Sequence, residues 1–265
     1  MAEAEQVPAG VDPTRPSPAR MYDYMLGGTR NLQVDRDATE RFLAQYPDLL
    51  DAASANRGFL RRAARLMAQT HGIRQFIDIG SGLPTQNNTH ETVHQIAPDA
   101  RIVYVDLDPM VLTYAPELLT DDGTTAVVQA DLRDPDSVLN AADVRRLIDF
   151  SQPVGVLFVA VLHFIPAEDD PYGSVRAFCA QMAPGSFLAV SHISSDGTAP
   201  AVMATIRDAY RTASAPAVFR SLAEIEGFFA GLEIAHPGIV EVSAWRARAT
   251  RIPALRILGG VGAKQ

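Results

Sequence analysis

Asp78, Asp106 and Asp131 stand at or just beyond the ends of three successive runs rich in β-branched and apolar residues, Gln75–Ile79, Arg101–Val105 and Thr125–Ala130. The first run leads into Gly80-Ser81-Gly82-Leu83-Pro84-Thr85. Glycines in such a loop let the backbone turn tightly and approach a ligand closely. A carboxylate at the end of the second run, 26 residues after Gly80, can accept hydrogen bonds from both ribose hydroxyls of a nucleoside. A carboxylate at the end of the third can accept a hydrogen bond from an adenine amino group, with Leu107 and Leu132 against the two faces of the ring. Polar loops alone account for one acid at a strand end. Three in series behind a Gly-x-Gly loop point to a nucleoside site.

The nucleoside can belong to NAD or to S-adenosylmethionine. A dinucleotide site wants a third small residue that lets helix and strand touch, and a helix N-terminus facing the pyrophosphate. Thr85 holds that place here, preceded by Pro84, and no basic residue stands near. The third acid, Asp131, has no part in the dinucleotide pattern. Both departures favour the sulfonium cofactor, whose positive charge also suits an acidic site.

Other residues invite chemistry. His163 follows the fourth apolar run, Val154–Val161, and an imidazole there can act as general base; orienting its own loop is the alternative. His192 ends the fifth run and is the weaker candidate on the same grounds. His90-Glu91-Thr92-Val93-His94 matches the zinc-protease pattern, but follows a glycine loop at the ligand end of a sheet, with no third ligand in view, so no metal is expected. Cys179 reads as a small apolar helix residue, Glu168-Asp169-Asp170 as a solvated loop, and Trp245 as either core or cleft wall.

The elements that position these residues follow from spacing. Pro16–Gly28, Asp35–Tyr46 and Asp48–Thr70 have helical periodicity, with Gly27-Gly28 as a stop. From residue 73 onward, short apolar runs alternate with helical patterns at 86–96, 137–150, 172–182, 200–212 and 221–230. Ser186–Ser191 reads as a further strand, and Leu232–Ala235, Ile239–Trp245 and Leu255–Val261 as terminal strands that include an antiparallel hairpin. Alternation of this kind predicts a doubly wound α/β sheet with ligand loops at the carboxyl ends of its strands. Three segments result: a flexible tail over 1–15, helices over 16–72, and a Rossmann-like domain over 73–265. A net charge of −8 argues against a phosphate-backbone partner. Lys264 is the only lysine, which leaves no internal Schiff-base lysine. One cysteine excludes an internal disulfide, and no run reaches the ~18 apolar residues of a spanning helix. The N-terminus lacks a signal-peptide pattern. The expectation is a cytoplasmic protein with a small-molecule substrate, no nucleic-acid partner and no membrane partner, its oligomeric state open.

These motifs resemble those of the class I S-adenosylmethionine-dependent methyltransferases. More narrowly, the chain is similar to the actinobacterial S-adenosyl methyltransferase family once classed as a domain of unknown function. The stretches that carry the resemblance are PSPARMYDYMLGGTRN (16–31), FIDIGSGLPTQNNTHE (76–91), VYVDLDPMVL (103–112), ADLRDP (130–135) and HPGIVEVSAWR (236–246). The resemblance implies a seven-stranded sheet in the order 3-2-1-4-5-7-6 with an antiparallel last strand, an N-terminal helical lid, and S-adenosylmethionine in the cleft. It places Gly80 and Gly82 at the methionine moiety, Asp106 at the ribose, Asp131 at the adenine between Leu107 and Leu132, and Asp78 beside the amino group, with Ser81 also binding the cofactor. Ala160 and Val161 fall beside the transferred methyl. Asn87 and Asn88 either cap the following helix or touch the cofactor. Tyr22 and Tyr24 are either lid residues near the sulfonium or packing residues, Arg30 and Asn31 are candidates for the cofactor carboxylate, and Tyr22 joins His163 as a catalytic candidate. The resemblance supplies no acceptor. Two other functions remain open: a cofactor-binding sensor without turnover, and an NAD-dependent reductase.

Overall fold

The computed structural model describes residues 7–84, 88–117, 119, 123–248 and 251–265. Helices α1 (Pro18–Met25), α2 (Gln33–Leu43) and α3 (Leu49–Arg65) come first, and α3 runs into a five-residue π turn, Leu66–Thr70. Parallel strands β1 (Gln75–Ile79), β2 (Arg101–Asp106), β3 (Thr125–Gln129), β4 (Gly155–Val159) and β5 (Phe187–Ile193) alternate with α4 (Thr89–His94), α5 (Met110–Thr113), α6 (Pro135–Leu139), α7 (Ala142–Leu147) and α8 (Pro171–Gln181). Then come α9 (Pro200–Tyr210), α10 (Leu222–Glu226), β6 (Glu233–Ile234), β7 (Val240–Glu241) and β8 (Ile257–Ala263).

The strand order is β3-β2-β1-β4-β5-β8-β6, with β8 antiparallel to β5 and to β6. An eighth strand, the two-residue β7, also pairs with β8, so the sheet carries one strand more than the resemblance implied. The run Ile239–Trp245 is strand only at β7. Beyond it the chain turns, with Ala244 and Trp245 N–H groups donating to the Glu241 carbonyl. The turn buries Trp245 completely, edge-on to Phe59 with ring centroids 5.1 Å apart. Trp245 is thus core. The helix expected over 137–150 breaks into α6 and α7. At the break the Asn140 side chain donates to the Asp136 carbonyl, a local bond that competes with helix continuation.

Successive strand residues face opposite layers. Phe76, Ile102, Tyr104, Leu157 and Ala189 pack in one cluster with Met21, Phe42, Phe59 and Ile206, which joins α1–α3 and α9 to the sheet. Ile77, Val103, Val156 and Leu188 pack on the other side with Val138, Leu147 and Phe178. The N-terminal helices therefore share a continuous core with the sheet. Residues 7–15 also lie against the body: Val11 packs with Leu32, Leu83 and Met110, and the Arg15 guanidinium donates to the Ala213 carbonyl at 2.8 Å.

Candidate functional site

The carboxyl ends of β1, β2 and β4 open onto a cavity of about 650 Å³, within the usual range for a small-ligand site. Its floor is the glycine loop. Gly80 has φ +68° and donates to the Val105 carbonyl at 2.7 Å; Gly82 has φ +69° and donates to Asp106 Oδ2 at 2.8 Å. A Cβ on Gly80 would lie 2.2 Å from Val161 Cγ2, whereas one on Gly82 would meet nothing within 4 Å. Gly80 is needed for packing against the β4 loop, and Gly82 keeps the cavity floor open. Gly80→Ala is expected to destabilise the fold by about 2 kcal/mol, from left-handed strain and the displaced Val161 together. Urea unfolding checks this; an unchanged midpoint would show that Val161 moves aside without cost.

The acids divide by environment. Asp106 accepts N–H groups from Gly82 (Oδ2) and Asp108 (Oδ1, 2.9 Å), and burial pushes its carboxyl up to about 6. An ionised carboxylate has about four acceptor sites, so capacity for a ligand remains. Asp78 is likewise raised to about 6 by burial, against a hydrogen bond from the Thr89 hydroxyl at 2.6 Å. Asp131, at the end of β3, is gripped by Arg133, which donates through Nε at 2.9 Å to Oδ2 and also reaches Asp169 at 3.3 Å. That grip holds the Asp131 carboxyl below its ordinary range. Ser81, Leu107, Leu132, Ala160 and Val161 line the same cavity. Ala160 sits at φ +59°, and its N–H donates to Ser191 Oγ at 3.0 Å.

From Ser191 a buried chain of hydrogen bonds reaches α1. The Ser191 hydroxyl donates to Asn56 Oδ1 (2.6 Å), Asn56 Nδ2 donates to the Tyr22 hydroxyl (3.0 Å), and that hydroxyl donates to the Ala53 carbonyl (3.1 Å). Tyr22 lines the cavity. Tyr24 does not: its hydroxyl donates to Glu40 on α2 at 2.7 Å. Residues two apart on a helix point about 200° apart, so α1 presents only one of the two tyrosines to the cavity. Asn31 is also away from it. Its Nδ2 donates to the buried carboxylate of Asp23 at 2.7 Å, and its Oδ1 accepts from Arg36 at 3.0 Å. Arg30 reaches Glu117 at 2.7 Å and stacks over Tyr114. Asn88 occupies the N-cap position of α4, its N–H donating to Glu91 at 2.8 Å, and is not on the cavity wall. Asn87 lies outside the described residues.

His163 lines the cavity and is buried; its Nδ1 has no hydrogen-bond partner among the described residues. Burial, then the neighbouring His192 and Arg220, hold it well below the ordinary histidine range, so the ring is neutral. His192 is off the wall. Its Nδ1 bonds the Ile193 carbonyl at 2.7 Å, and its Nε2 accepts from Arg220 at 2.7 Å. Arg220 also holds the Leu162 and Ile165 carbonyls at 3.0 and 2.9 Å, fixing the loop that carries His163. His90 bonds the Tyr104 hydroxyl at 2.7 Å, and His94 bonds the Ala100 carbonyl at 2.9 Å. Among the described residues no group of three His, Cys, Asp or Glu side chains is placed to hold a metal. Cys179 is half-buried in α8, its thiol pushed up to about 11 by burial.

Sequence reasoning missed Arg20, Asn56, Arg133, Ser191 and Arg220. Arg133 stands two residues from Asp131 in the quoted ADLRDP stretch and was legible; the others act across distances that no local period encodes. Buried carboxylates with acceptor capacity, beside a glycine floor that a Cβ would fill, fit a nucleoside cofactor.

A family model described as S-adenosyl methyltransferase matches residues 4–265. Among solved structures, a provisionally assigned methyltransferase from Thermobifida fusca YX is 39% identical, with 99% of this chain and 100% of that chain covered and a TM-score of 0.91. A DUF574 family protein from Streptomyces avermitilis MA-4680 is 38% identical over 95% of this chain and 98% of that chain, with a TM-score of 0.90. The 1,6-didemethyltoxoflavin-N1-methyltransferase of Burkholderia thailandensis, solved with 1,6-didemethyltoxoflavin and S-adenosylhomocysteine, is 16% identical over the whole of both chains at a TM-score of 0.50, and shares the fold. Among curated proteins none matches the chain. S-adenosylmethionine is therefore the cofactor, and the chain belongs to the S-adenosyl methyltransferase family.

Proposed function

We propose that the chain methylates a small molecule, and that α1–α3 act as the lid over the site. The observation that carries this is the roof: Phe42, Leu49, Asn56 and Leu60 line the cavity and are each no more than 4% exposed. A site roofed by core residues admits a small guest rather than a folded partner. The charge of −8 points the same way against nucleic acid. No described helix is long and apolar enough to cross a membrane; with a single cysteine, we place the chain in the cytoplasm.

The chemistry supplied by the bound cofactor is a methyl already activated on a positive sulfur. The residues align, orient and exclude water. In this reading Asp106 takes the ribose hydroxyls, Asp131 takes the adenine amino group, and Gly80, Ser81 and Gly82 take the methionine end with Asp78. Ala160, Val161 and Tyr22 border the reacting position. His163, being neutral, is available to receive a proton there, with modest driving force because its basicity is low.

Calorimetry with S-adenosylhomocysteine tests this. One site per chain is expected, with about tenfold weaker binding in Asp131→Ala, the scale of one lost hydrogen bond to a charged group. NADH binding more tightly than S-adenosylhomocysteine would overturn the assignment.

A further inference from the structure

The two ends of the cavity differ in chemistry. One end has the glycine floor and the strand-end acids. The other is walled by Phe42 of α2, Leu49 and Leu60 of α3, Ile206 and Tyr210 of α9 and Ile257 of β8, all buried. Tyr22 and Asn56 are tied to each other and to Ser191, and the Tyr210 hydroxyl is an uncharged group beside the apolar wall. Tyr22 also spends its proton on the Ala53 carbonyl. The lining carboxylates sit elsewhere: Asp12 on the N-terminal stretch, Asp78, Asp106, Asp108 and Asp131 at or beyond strand ends, and Asp169 in the Arg133 ion pair.

A charged guest would shed its water here, at a cost that grows steeply in a low-dielectric site, and the wall cation of α3, Arg57, is already engaged with Asp78 and Tyr22. An apolar guest gains with every Å² it buries. β4 stands between β1 and β5 in the sheet, and the turn after it carries His163, a buried ring on the cavity wall with an unpartnered nitrogen.

We propose that the end walled by α2, α3, α9 and β8 is the acceptor site, and that the acceptor is an uncharged, mainly apolar small molecule whose one protic group lies against His163. The proposal rests on the methyltransferase reading above and adds the acceptor's chemical class. The methyl takes the place of the hydrogen on that N–H or O–H, and the unpartnered Nδ1 of His163 receives the displaced proton, so the polar handle and the reacting atom coincide.

The test is calorimetry on the full chain with 2-naphthol and its anionic analogue 2-naphthoate, each with and without saturating S-adenosylhomocysteine. 2-Naphthol is expected to bind at least tenfold more tightly than 2-naphthoate, and to bind alongside S-adenosylhomocysteine. Ala217→Phe, which places a ring in the apolar end from the loop after α9, is expected to weaken 2-naphthol at least tenfold and leave S-adenosylhomocysteine within twofold. Equal or tighter binding of 2-naphthoate, or an Ala217→Phe protein that binds S-adenosylhomocysteine normally and 2-naphthol undiminished, overturns the proposal. Loss of 2-naphthol binding when S-adenosylhomocysteine is present also overturns it, because the probe then shares the nucleoside end. Should S-adenosylhomocysteine itself fail to bind the unaltered chain, the cofactor assignment falls, and the 2-naphthol comparison still reports separately on the apolar end.

Discussion

Arg20→Met is expected to lower unfolding stability by about 3–5 kcal/mol, the scale for removing one partner of a buried ion pair. Arg20 Nε lies 2.8 Å from Asp35 Oδ2, and both side chains are almost wholly buried, 4% and 0% exposed. Met keeps much of the apolar stem but leaves the Asp35 carboxylate without its cation. Asp35 also accepts the N–H groups of Ser17 (2.9 Å) and Leu32 (2.8 Å), so one carboxylate ties the start of α1 to the start of α2. The double variant Arg20→Met, Asp35→Leu should recover only part of the loss. It removes the stranded charge, but orphans two buried N–H groups. Arg20 further stands 3.6 Å from Asp108, which accepts from the Ser17 hydroxyl and whose N–H holds Asp106. Loosening Arg20 is therefore expected to weaken S-adenosylhomocysteine binding as well. Urea unfolding and calorimetry read the two effects; a loss below 1 kcal/mol would mean that α1 is not held by this pair.

The strand-end acids were legible because apolar runs and glycine loops fix strand ends locally, so Asp78, Asp106 and Asp131 could be placed without tertiary knowledge. The sheet order followed from the resemblance, and only β7 was added, its shortness dictated by the turn that buries Trp245. The lid residues were less legible. Tyr22 and Tyr24 look equivalent in a list of aromatics, but helical geometry sends them to different faces, and Tyr24 finds Glu40. Asn31 reads as a polar residue free for a ligand, yet the buried Asp23, eight residues earlier, claims its Nδ2 together with the Gly28 carbonyl. Ser191, Asn56 and Tyr22 are separated by 135 and 34 residues, and only the packing of α3 on the sheet brings them together. Arg20 and Asp35, likewise, carry no sequence signal beyond ordinary helical surface charge.

S-adenosylhomocysteine is expected to bind about tenfold more weakly at pH 5 than at pH 7 through Asp106 alone, and up to a hundredfold through Asp106 and Asp78 together. Both carboxyls are raised by burial to about 6. Above that value they are carboxylates that accept hydrogen bonds from a ligand; below it each binds a proton, and affinity falls by up to one decade per pH unit for each group. Stability moves the other way. The native state holds these protons more tightly than the unfolded chain, where an aspartyl carboxyl titrates near 3.8. The two groups therefore weaken the fold as pH rises from about 4 to 6, and strengthen it as pH falls through the same window. Opposite trends separate loss of ligand from loss of structure. Asp106→Asn keeps one acceptor oxygen and removes the charge. Its affinity at pH 7 is expected to be about tenfold to a hundredfold lower, as for a charged hydrogen bond, and its decline between pH 7 and 5 correspondingly shallower. Calorimetry across that range decides: an affinity unchanged from pH 7 to 5 in the unaltered chain would mean that neither carboxylate holds the ligand, and the ribose assignment of Asp106 would fall with it.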